Sequence, residues 1–412
     1  MSKTVSDYNF FDPEIIESPF DFYAAARRDA PIHHLPDTNI YFVSRYEDVR
    51  KILKDTETFS NEFGAILNEP PKNPEAAAVY ASGYETVDTM LTLDPPRHRV
   101  YRNLVNKVFS NKRVESMHDY MLQMADQLID SWIDDGEVDL LTRFCVPLPV
   151  WVIADQLGVP REDLELFKKW SDAFASRLSR FADADQELED ARLIVQFQHY
   201  FVDMIEQRRK DPQDNIISDL AHARIDDGRE LTHPEMLSIV QQVLVAGNET
   251  STSTIAEGVL YLIENPAECD KLRADPSLIP NAVEEILRLA TPSCGLWRLV
   301  TQDTEVQGVQ IPKDALMMVR FASANRDDEH FEDAGKMDVC RHNARDNLSF
   351  GQGVHFCLGA QLARKELNVA FEKLLQRTDN WRLTEGKNSL KHWPNLILRG
   401  LEELHIDFDK IK

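Results

Sequence analysis

Apolar residues recur at helical spacing along most of the chain, so the sequence predicts a mainly α-helical protein. The clearest amphipathic segments cover residues 48–55, 113–136, 162–181, 189–212 and 358–379. Strand-like alternation is confined to short stretches at residues 39–44, 304–312, 315–322 and 396–408, the last with a turn at Arg399 and Gly400. We therefore predict a mainly α fold with small β-sheets at its edge.

The longest helical segment runs from Thr232 to Asn265 and carries polar residues where burial is expected. Thr232 and Glu235 have the spacing of a capping box. At 1.5 Å per residue the helix would span on the order of 50 Å, so its middle must be buried. That middle reads AGNETSTST, in which Gly247 weakens the helix and the Glu249 carboxylate is costly to bury. A functional site is one explanation, and a solvated stripe is the other.

Composition and charge narrow the class of protein. The chain has 412 residues, 43% of them hydrophobic, and shows no repeats and no Gly/Ser linker, so we expect a single domain over residues 1–412. The cysteines are widely spaced and include no CxxC pair, which argues against a disulfide framework and a four-cysteine zinc site and fits a reducing cytoplasm. A formal charge of −24 argues against nucleic acid or an anionic membrane as a partner. No apolar run approaches the length of a membrane helix.

A second departure from simple patterning is the segment FGQGVHFCLG at residues 350–359. It places Cys357 just before the amphipathic helix, where amides and the helix dipole favour a thiolate. Its three glycines permit tight turns and a close approach of the backbone to a flat or bulky group. Three interpretations are open: an inert buried cysteine, a nucleophile with His355 as base, or a metal thiolate. A zinc-like variant of the last would add Cys340 and His342.

This segment resembles the haem-binding signature of the cytochrome P-450 superfamily. The five fixed positions of that signature are matched by Phe350, Gly353, His355, Cys357 and Gly359. Three further motifs follow the order typical of the family: HRVYR at residues 98–102, AGNET at 246–250 and EILR at 285–288. The resemblance runs from about residue 10 to the C-terminus and is closest to soluble bacterial members. It implies the cytochrome P-450 fold, with a long central helix over a buried haem.

The resemblance also implies a role for each matched residue. Cys357 would be the axial thiolate of heme b, iron protoporphyrin IX. Thr250 would hydrogen-bond at the oxygen site and Glu249 would relay protons. Other haem contacts would come from His98, Arg102, Ala246, Arg298, Phe350, Gly351, His355 and Gly359. The Glu-x-x-Arg ion pair would comprise Glu285, Arg288 and Arg341. One departure is Asn347, since many bacterial members have a propionate-binding His there.

The implied reaction is monooxygenation, in which one atom of O2 enters a C–H bond and the other leaves as water. Electrons would come from an acidic ferredoxin served by an NAD(P)H reductase, and we expect a cytoplasmic monomer. The candidate basic docking residues are Arg102, Lys107, Lys112, Arg113, Arg364 and Lys365. A haem-thiolate peroxygenase or isomerase, which would use the same Cys357 without needing a Glu and Thr relay, is the alternative.

The substrate pocket expected from family position is chiefly apolar. No acidic or basic residue in it stands out as an anchor for a charged substrate, which predicts a neutral, mostly hydrophobic molecule of terpenoid, aromatic or steroid size. Hydroxylation and oxidative dealkylation both suit such a molecule. The candidate lining residues are Phe174, Leu178, Val243, Gly247, Ser293, Leu296 and Ile397.

Overall fold

The computed structural model describes residues 3–106, 109–179, 181–225 and 228–411, and it is mainly helical. The α-helices of these residues are α1 (Pro13–Glu17), α2 (Phe20–Asp29), α3 (Tyr46–Lys54), α4 (Gly64–Leu67), α5 (Pro74–Tyr80), α6 (Arg97–Asn106), α7 (Asn111–Ser116), α8 (His118–Asp130), α9 (Pro147–Leu157), α10 (Leu164–Ser179), α11 (Ala184–Lys210), α12 (Ile216–Ala221), α13 (His233–Glu264), α14 (Pro266–Ala274), α15 (Ile279–Ala290), α16 (Phe321–Ala324) and α17 (Ala360–Arg377). None of them is both long enough and apolar enough to cross a bilayer.

The strands are short. They are β1 (Ile32–His34), β2 (Ile40–Val43), β3 (Phe59–Ser60), β4 (Glu137–Asp139), β5 (Leu296–Val300), β6 (Thr304–Val306), β7 (Val309–Ile311), β8 (Leu316–Val319), β9 (Thr378–Leu383) and β10 (His405–Lys410). They form a five-stranded sheet in the order β1-β2-β8-β5-β3, a three-stranded sheet in the order β4-β10-β9, and the β6–β7 hairpin. The predicted class, a mainly α fold with small sheets, is confirmed.

The described chain is divided into two compact units. Unit 1 comprises Met1–Ser60, Ser116–Leu148 and Thr250–Lys412, and unit 2 comprises Asn61–Glu115 and Pro149–Glu249. The long helix α13 contributes residues to both units. The single domain over residues 1–412 stays a prediction.

Unit 1 contains all three sheets and the helix after Cys357. β2 and β8 pair in parallel, and the other strand pairs are antiparallel. A Cβ at Gly258 of α13 would come within 2.4 Å of Phe371 and 2.8 Å of Ile286, so this glycine allows α13 to pack closely on α17 and α15. Lys373 and Arg377 of α17 pair with Asp126 of α8, which ties these two helices together.

Two predicted elements of unit 1 differ from the structure. The segment 113–136 is divided into α7 and α8, and its last residues turn so that the Trp132 ring packs edge-on against Phe144 and Phe408. In the predicted strand 396–408, only the end belongs to a ladder. The side chain of Asn395 accepts hydrogen bonds from the amides of Ile397 and Leu398, at 2.8 and 3.0 Å, and these local bonds compete with strand pairing.

Unit 2 is built on an aromatic contact between α10 and α11. The rings of Trp170 and Phe174 lie within 6 Å of the Phe197 ring.

The predicted capping box at the start of α13 is confirmed. The Thr232 amide donates to Glu235 Oε2 at 2.8 Å, and the Glu235 amide donates to Thr232 Oγ1 at 3.3 Å.

Candidate functional site

The polar run in the middle of α13 is buried. Glu249 is 7% exposed, and Ser251, Thr252, Ser253 and Thr254 are each 6% exposed or less. The explanation of this run as a solvated stripe is therefore wrong. Three of its hydroxyls are satisfied by fixed partners: Ser251 donates to Glu366 Oε2 at 2.9 Å, Thr252 to the Cys145 carbonyl at 3.1 Å, and Thr254 to the Thr250 carbonyl at 2.7 Å.

The Glu249 carboxyl group lies in a chain of hydrogen-bonding groups within unit 2. Its Oε1 accepts from Ser171 Oγ at 3.1 Å and from Lys168 Nζ at 3.4 Å, and Lys168 also pairs with the half-exposed Asp172. Burial raises the pKa of Glu249, against the opposing effect of the Lys168 charge. Burial disfavours the Lys168 ammonium, yet Glu249 and Asp172 together raise its pKa. A protonatable carboxyl group is thus connected through a lysine to the protein surface.

One face of α13 remains open beside this buried run. Ala246 is exposed and Thr250 is partly exposed, and the two lie one helical turn apart on the same face. Gly247 serves a different contact, because a Cβ there would lie 2.6 Å from two atoms of Ile153 on α9. The lack of a side chain at Gly247 therefore has a packing reason of its own.

Cys357 lies in a tight loop before α17. Its amide donates to the Phe350 carbonyl at 2.8 Å, and its thiol is partly exposed. Gly353 adopts φ +76°, and a Cβ there would lie 2.6 Å from the Leu53 carbonyl oxygen, so only glycine fits. A Cβ at Gly359, in contrast, would meet no atom within 4 Å, which leaves open space at the start of α17.

These features fit a haem group bound through Cys357. A cysteine thiolate is one of the established axial ligands of haem iron. Beside it, Val354 and Phe356 are unusually exposed apolar side chains, and the open space at Gly359 would admit a large flat group. The zinc-like alternative has no support, because the described residues contain no group of three or more His, Cys, Asp or Glu side chains suited to hold a metal ion.

Of the predicted haem contacts, the propionate ligands lie on one helix and one strand, and His355 lies in the cysteine loop. His98 is buried on α6 and Arg102 follows one turn later, so both side chains lie on one face of that helix. In unit 1, Arg298 is buried in β5 and its Nη1 donates to the Trp297 carbonyl at 2.7 Å. His355 ends a short 3-10 turn two residues before Cys357. Their role toward haem stays a prediction.

The Glu285, Arg288 and Arg341 side chains form a fully buried network. Arg288 makes two bonds of 2.7 Å to the Glu285 carboxylate, and Arg341 Nε lies 3.0 and 3.1 Å from the same two oxygens. The carbonyls of Asn325 and Ala334 accept further bonds from Arg288. Both guanidinium groups contact the one Glu285 carboxylate and donate their remaining bonds to carbonyls, so the cluster can hold the segment around residues 334–341 in place.

The neighbouring carboxylate of Glu284 binds two of the residues named from the sequence. They are Asn347, considered at the position of a propionate ligand, and Arg364, considered as a docking residue. Asn347 donates to Glu284 Oε2 at 3.1 Å and to the Ala344 carbonyl at 2.9 Å, so both donors of its amide are used within the protein. Arg364 donates to Glu284 Oε1 at 2.6 Å.

The basic residues predicted to dock a ferredoxin differ in their contacts within the chain. Besides Arg364, Arg113 lies 3.6 and 3.5 Å from Asp214 and Asp219, so these two guanidinium groups are engaged by carboxylates of the same chain. Lys112 is exposed. Lys107 lies outside the described residues.

The predicted pocket residues fall into two groups. In unit 1, Ser293 bridges to Leu398, and the Cys294 amide donates to the Ile397 carbonyl at 2.7 Å, so these two segments are neighbours; Leu296 begins β5. In unit 2, the pocket candidates are Phe174 and Leu178 on α10 and Val243 and Gly247 on α13. Phe174 packs against Phe197 at 5.0 Å, which is also a core contact.

Sequence reasoning missed two residues beside the central helix. Glu366 on α17 is fully buried, and burial raises its pKa to about 8, so at neutral pH it holds a proton next to Ser251. A signal existed, since Glu366 lies on the apolar helix face between Leu362 and Ala370. Lys168 gave no such signal, because only the tertiary structure brings α10 beside Glu249.

A helix-rich fold with a cysteine loop at the start of α17 and an acid–alcohol pair in the central helix defines a haem-thiolate class of protein. The family model described as cytochrome P-450 matches residues 170–399. Cytochrome P-450 107B1 of Saccharopolyspora erythraea is 32% identical over 409 residues, covering 98% of each chain. The vitamin D(3) 25-hydroxylase of Pseudonocardia autotrophica is 32% identical over 403 residues, covering 97% of this chain and 96% of that one.

The solved structures agree. The crystal structure of CYP109E1 from Bacillus megaterium in complex with testosterone matches with a TM-score of 0.83 and 30% identity, over 96% of this chain and 99% of that chain. The chain belongs to the cytochrome P-450 family. It is a monooxygenase whose cofactor is heme b and which uses O2 and a redox partner.

Proposed function

We propose that this monooxygenase acts on neutral, mostly hydrophobic molecules of terpenoid, aromatic or steroid size, by hydroxylation or oxidative dealkylation. The observation that carries the proposal is the apolar character of the expected pocket, in which no charged side chain was found as an anchor. Two similar proteins support the size class, since one is named as a vitamin D(3) 25-hydroxylase and another was crystallised with testosterone.

In this proposal, the residues of the Cys357 loop and α17 hold the cofactor. Cys357 Sγ would hold the haem iron as a thiolate, and the α17 N-terminus would stabilise the negative charge of that thiolate. His98, Arg102 and Arg298 would neutralise the propionates. When bound in this way, haem supplies the oxidising chemistry by activating O2 at the iron.

The polar residues of α13 would deliver protons without admitting water. Glu249 Oε1 accepts hydrogen bonds from Ser171 and Lys168, and Lys168 contacts the surface carboxylate of Asp172, so these polar groups would link Glu249 to the surface. Thr250 follows Glu249 in the chain and lies on the open face of the helix, where its Oγ1 can donate a hydrogen bond at the oxygen site. Ser251 and Thr252, which follow this pair in the helix, are themselves buried.

Electrons would come from an acidic ferredoxin, and the enzyme would act as a monomer. A net charge of −24 repels acidic partners, so docking requires exposed basic side chains. Lys112 is exposed and is the clearest candidate, whereas Arg102 and Lys365 are only partly exposed. Arg113 and Arg364 contribute less in this proposal because their charges are already paired.

The test combines a ligand library with reconstituted turnover. The purified protein is titrated with terpenoid, aromatic and steroid compounds and with charged analogues, and the spin state of the iron is followed spectroscopically. Compounds that shift it are incubated with ferredoxin, reductase, NAD(P)H and 18O2. We expect neutral compounds to shift the spin state and to yield products with one 18O atom. Preference for charged analogues would refute the substrate class, and turnover with peroxide alone would identify a peroxygenase.

Cys357→His tests the iron ligand in the same assays. It should lose the thiolate-type band of the reduced carbon-monoxide complex together with the oxygenase activity. Cys340→Ser is the matched control, because Cys340 is an exposed cysteine outside this loop and should retain both. A Cys357→His protein that keeps the band and the activity would refute the assignment.

A further inference from the structure

A second group of buried charged side chains surrounds a small cavity in unit 1. The cavity is partly enclosed and has room for about one water-sized particle. It lies between the N-terminal segment, the end of β8 and the segment that follows residue 391. Its polar lining consists of Tyr23, Cys294, Arg320, His392, Asn395 and Arg399.

Arg320, directly after β8, is a buried cation for which the described residues provide no carboxylate partner. It is 3% exposed, its Nη1 donates to the Leu396 carbonyl at 2.5 Å, and its Nη2 donates to the Tyr23 hydroxyl at 2.7 Å. The rings of Phe10 and Tyr23 lie 5.5 and 5.7 Å from its guanidinium carbon. In the part of the chain that the structure describes, its Nε has no hydrogen-bond partner. A buried charge without a counter-charge costs several kcal/mol.

The neighbouring groups do not supply that counter-charge. Burial raises the pKa of both Tyr23 and Cys294, which keeps the phenol and the thiol neutral. The nearby carboxylates of Glu17 and Glu257 are directed at His392 instead. Glu17 Oε1 lies 3.3 Å from Nδ1 and Glu257 Oε1 lies 2.5 Å from Nε2.

Among the described residues, the lining of the cavity includes no carboxylate. Both ring nitrogens of His392 lie within hydrogen-bond distance of carboxylate oxygens, so Glu17 and Glu257 are engaged away from Arg320. Arg399 adds a further cation, whose Nη1 donates to the Glu17 carbonyl at 3.4 Å and whose guanidinium lies over the Phe20 ring. Two guanidinium groups therefore line a cavity whose described lining has no carboxylate, and one bound monoanion would offset the charge of the buried Arg320.

We propose that this cavity binds one small inorganic monoanion of chloride size, held by Arg320 Nε and the Tyr23 hydroxyl. The size of the cavity excludes sulfate and organic carboxylates, whereas chloride is little larger than a water molecule. The anion would neutralise Arg320 and so stabilise the contacts of its guanidinium with the Tyr23 hydroxyl and the Leu396 carbonyl. This inference does not depend on the substrate class.

The first test locates the anion directly. Crystals of the haem-loaded protein are soaked in sodium bromide, and diffraction is recorded at the bromine absorption edge. We expect an anomalous peak within hydrogen-bond distance of Arg320 Nε. Ordinary water density at that position, without an anomalous signal, would overturn the proposal.

The second test measures the energetic effect. The thermal unfolding midpoint is followed as chloride replaces gluconate at constant ionic strength. The unsubstituted protein should gain roughly 1–3 °C. Arg320→Met removes the charge and should abolish the response. An equal response in this variant, or none in the unsubstituted protein, would overturn the proposal.

The matched control is Arg27→Met. Arg27 also donates to buried groups, the carbonyl and hydroxyl of Ser323, but the charges of Asp327 and Asp328 face it. This variant should therefore keep the chloride response. If Arg320→Met does not fold, Tyr23→Phe replaces it: the variant should need more bromide for the same occupancy, and unchanged occupancy would overturn the proposal.

Discussion

The carboxyl group of Glu249 is buried and yet remains connected to the surface. Its contact with Lys168, and that of Lys168 with Asp172, provides a route for protons that does not require a channel of water. The same burial that raises the pKa of Glu249 makes it able to hold a proton when one is needed.

Glu249→Gln should keep the shape of the side chain but remove the transferable proton. We expect kcat to fall roughly tenfold or more and the solvent isotope effect to change. Lys168→Met should slow turnover in the same direction. Lys169→Met is its control, because Lys169 pairs with Glu165 on the helix surface. Equal effects of the two lysine variants would contradict the proposed route.

Thr250→Ala should affect the coupling of the reaction more than ligand binding. Loss of the hydroxyl removes a hydrogen bond at the oxygen site, so hydrogen peroxide should be released while product per NAD(P)H falls roughly tenfold. The measurement is product, peroxide and NAD(P)H consumption with one ferredoxin. Thr254→Ala is the control, since that hydroxyl bonds only to the Thr250 carbonyl. Coupling as tight as in the parent would show that the Thr250 hydroxyl is structural.

Glu366→Gln should change the pH dependence of stability. Burial raises the pKa of Glu366 to about 8 in the folded protein, from an ordinary value of 4.5. Between these values only the folded state holds the proton, so the free energy of unfolding falls as pH rises, by at most about 1.4 kcal/mol per unit. The variant should lose this slope in denaturant unfolding at pH 5 to 8, while Glu372→Gln on the exposed side of α17 should retain it. Equal slopes would refute the assignment.

At the scale of elements, the close packing of α13 depends on glycines. Gly247→Ala would place a Cβ 2.6 Å from Ile153 and should lower the free energy of unfolding by roughly 1–3 kcal/mol. Ile153→Ala alone leaves a cavity, but the double variant should recover part of the loss. Denaturant unfolding of the four proteins gives the coupling energy. Additive effects would show that the two residues do not compete for this space.

Local sequence determined some elements well and others poorly. The start of α13 was predictable because Thr232 and Glu235 supply its capping bonds to each other. Of the strand pattern predicted at residues 396–408, the structure keeps β10 at the end and isolated bridges at Leu398 and Leu401, while the Asn395 side chain accepts the amides of Ile397 and Leu398. The hydrophobic periodicity of a sequence does not indicate such side-chain hydrogen bonds to the backbone.

Some residues of the candidate site could be predicted from the sequence, and others could not. The cysteine loop and the AGNET segment were recognisable because their residue types occur at fixed spacing. Lys168 was not, since its contact with Glu249 joins positions 81 residues apart. The engagement of Arg364 and Asn347 by Glu284 also depends on tertiary packing, and sequence alone left both side chains available for other roles.

For the whole molecule, a net charge of −24 implies substantial self-repulsion. Raising sodium gluconate from about 0.01 to 0.1 M shortens the screening length from about 30 to 10 Å. The thermal unfolding midpoint should therefore rise, by roughly 2–5 °C. A fall would indicate that surface ion pairs stabilise the protein more than the excess negative charge destabilises it.

Unit 1 is formed from stretches that are far apart in the sequence, which affects how the chain folds while it is being synthesised. Unit 1 requires residues from three separate stretches, and Lys410 of β10 pairs with Asp134, 276 positions earlier. A ribosome adds about 5–20 residues per second, so the early stretches wait roughly 14–55 seconds for their last strand. During that interval β4 and its apolar neighbours are not yet covered by β10. Abundant chaperones during synthesis, which can cover β4 and its neighbours over this interval, should therefore raise the yield of intact enzyme.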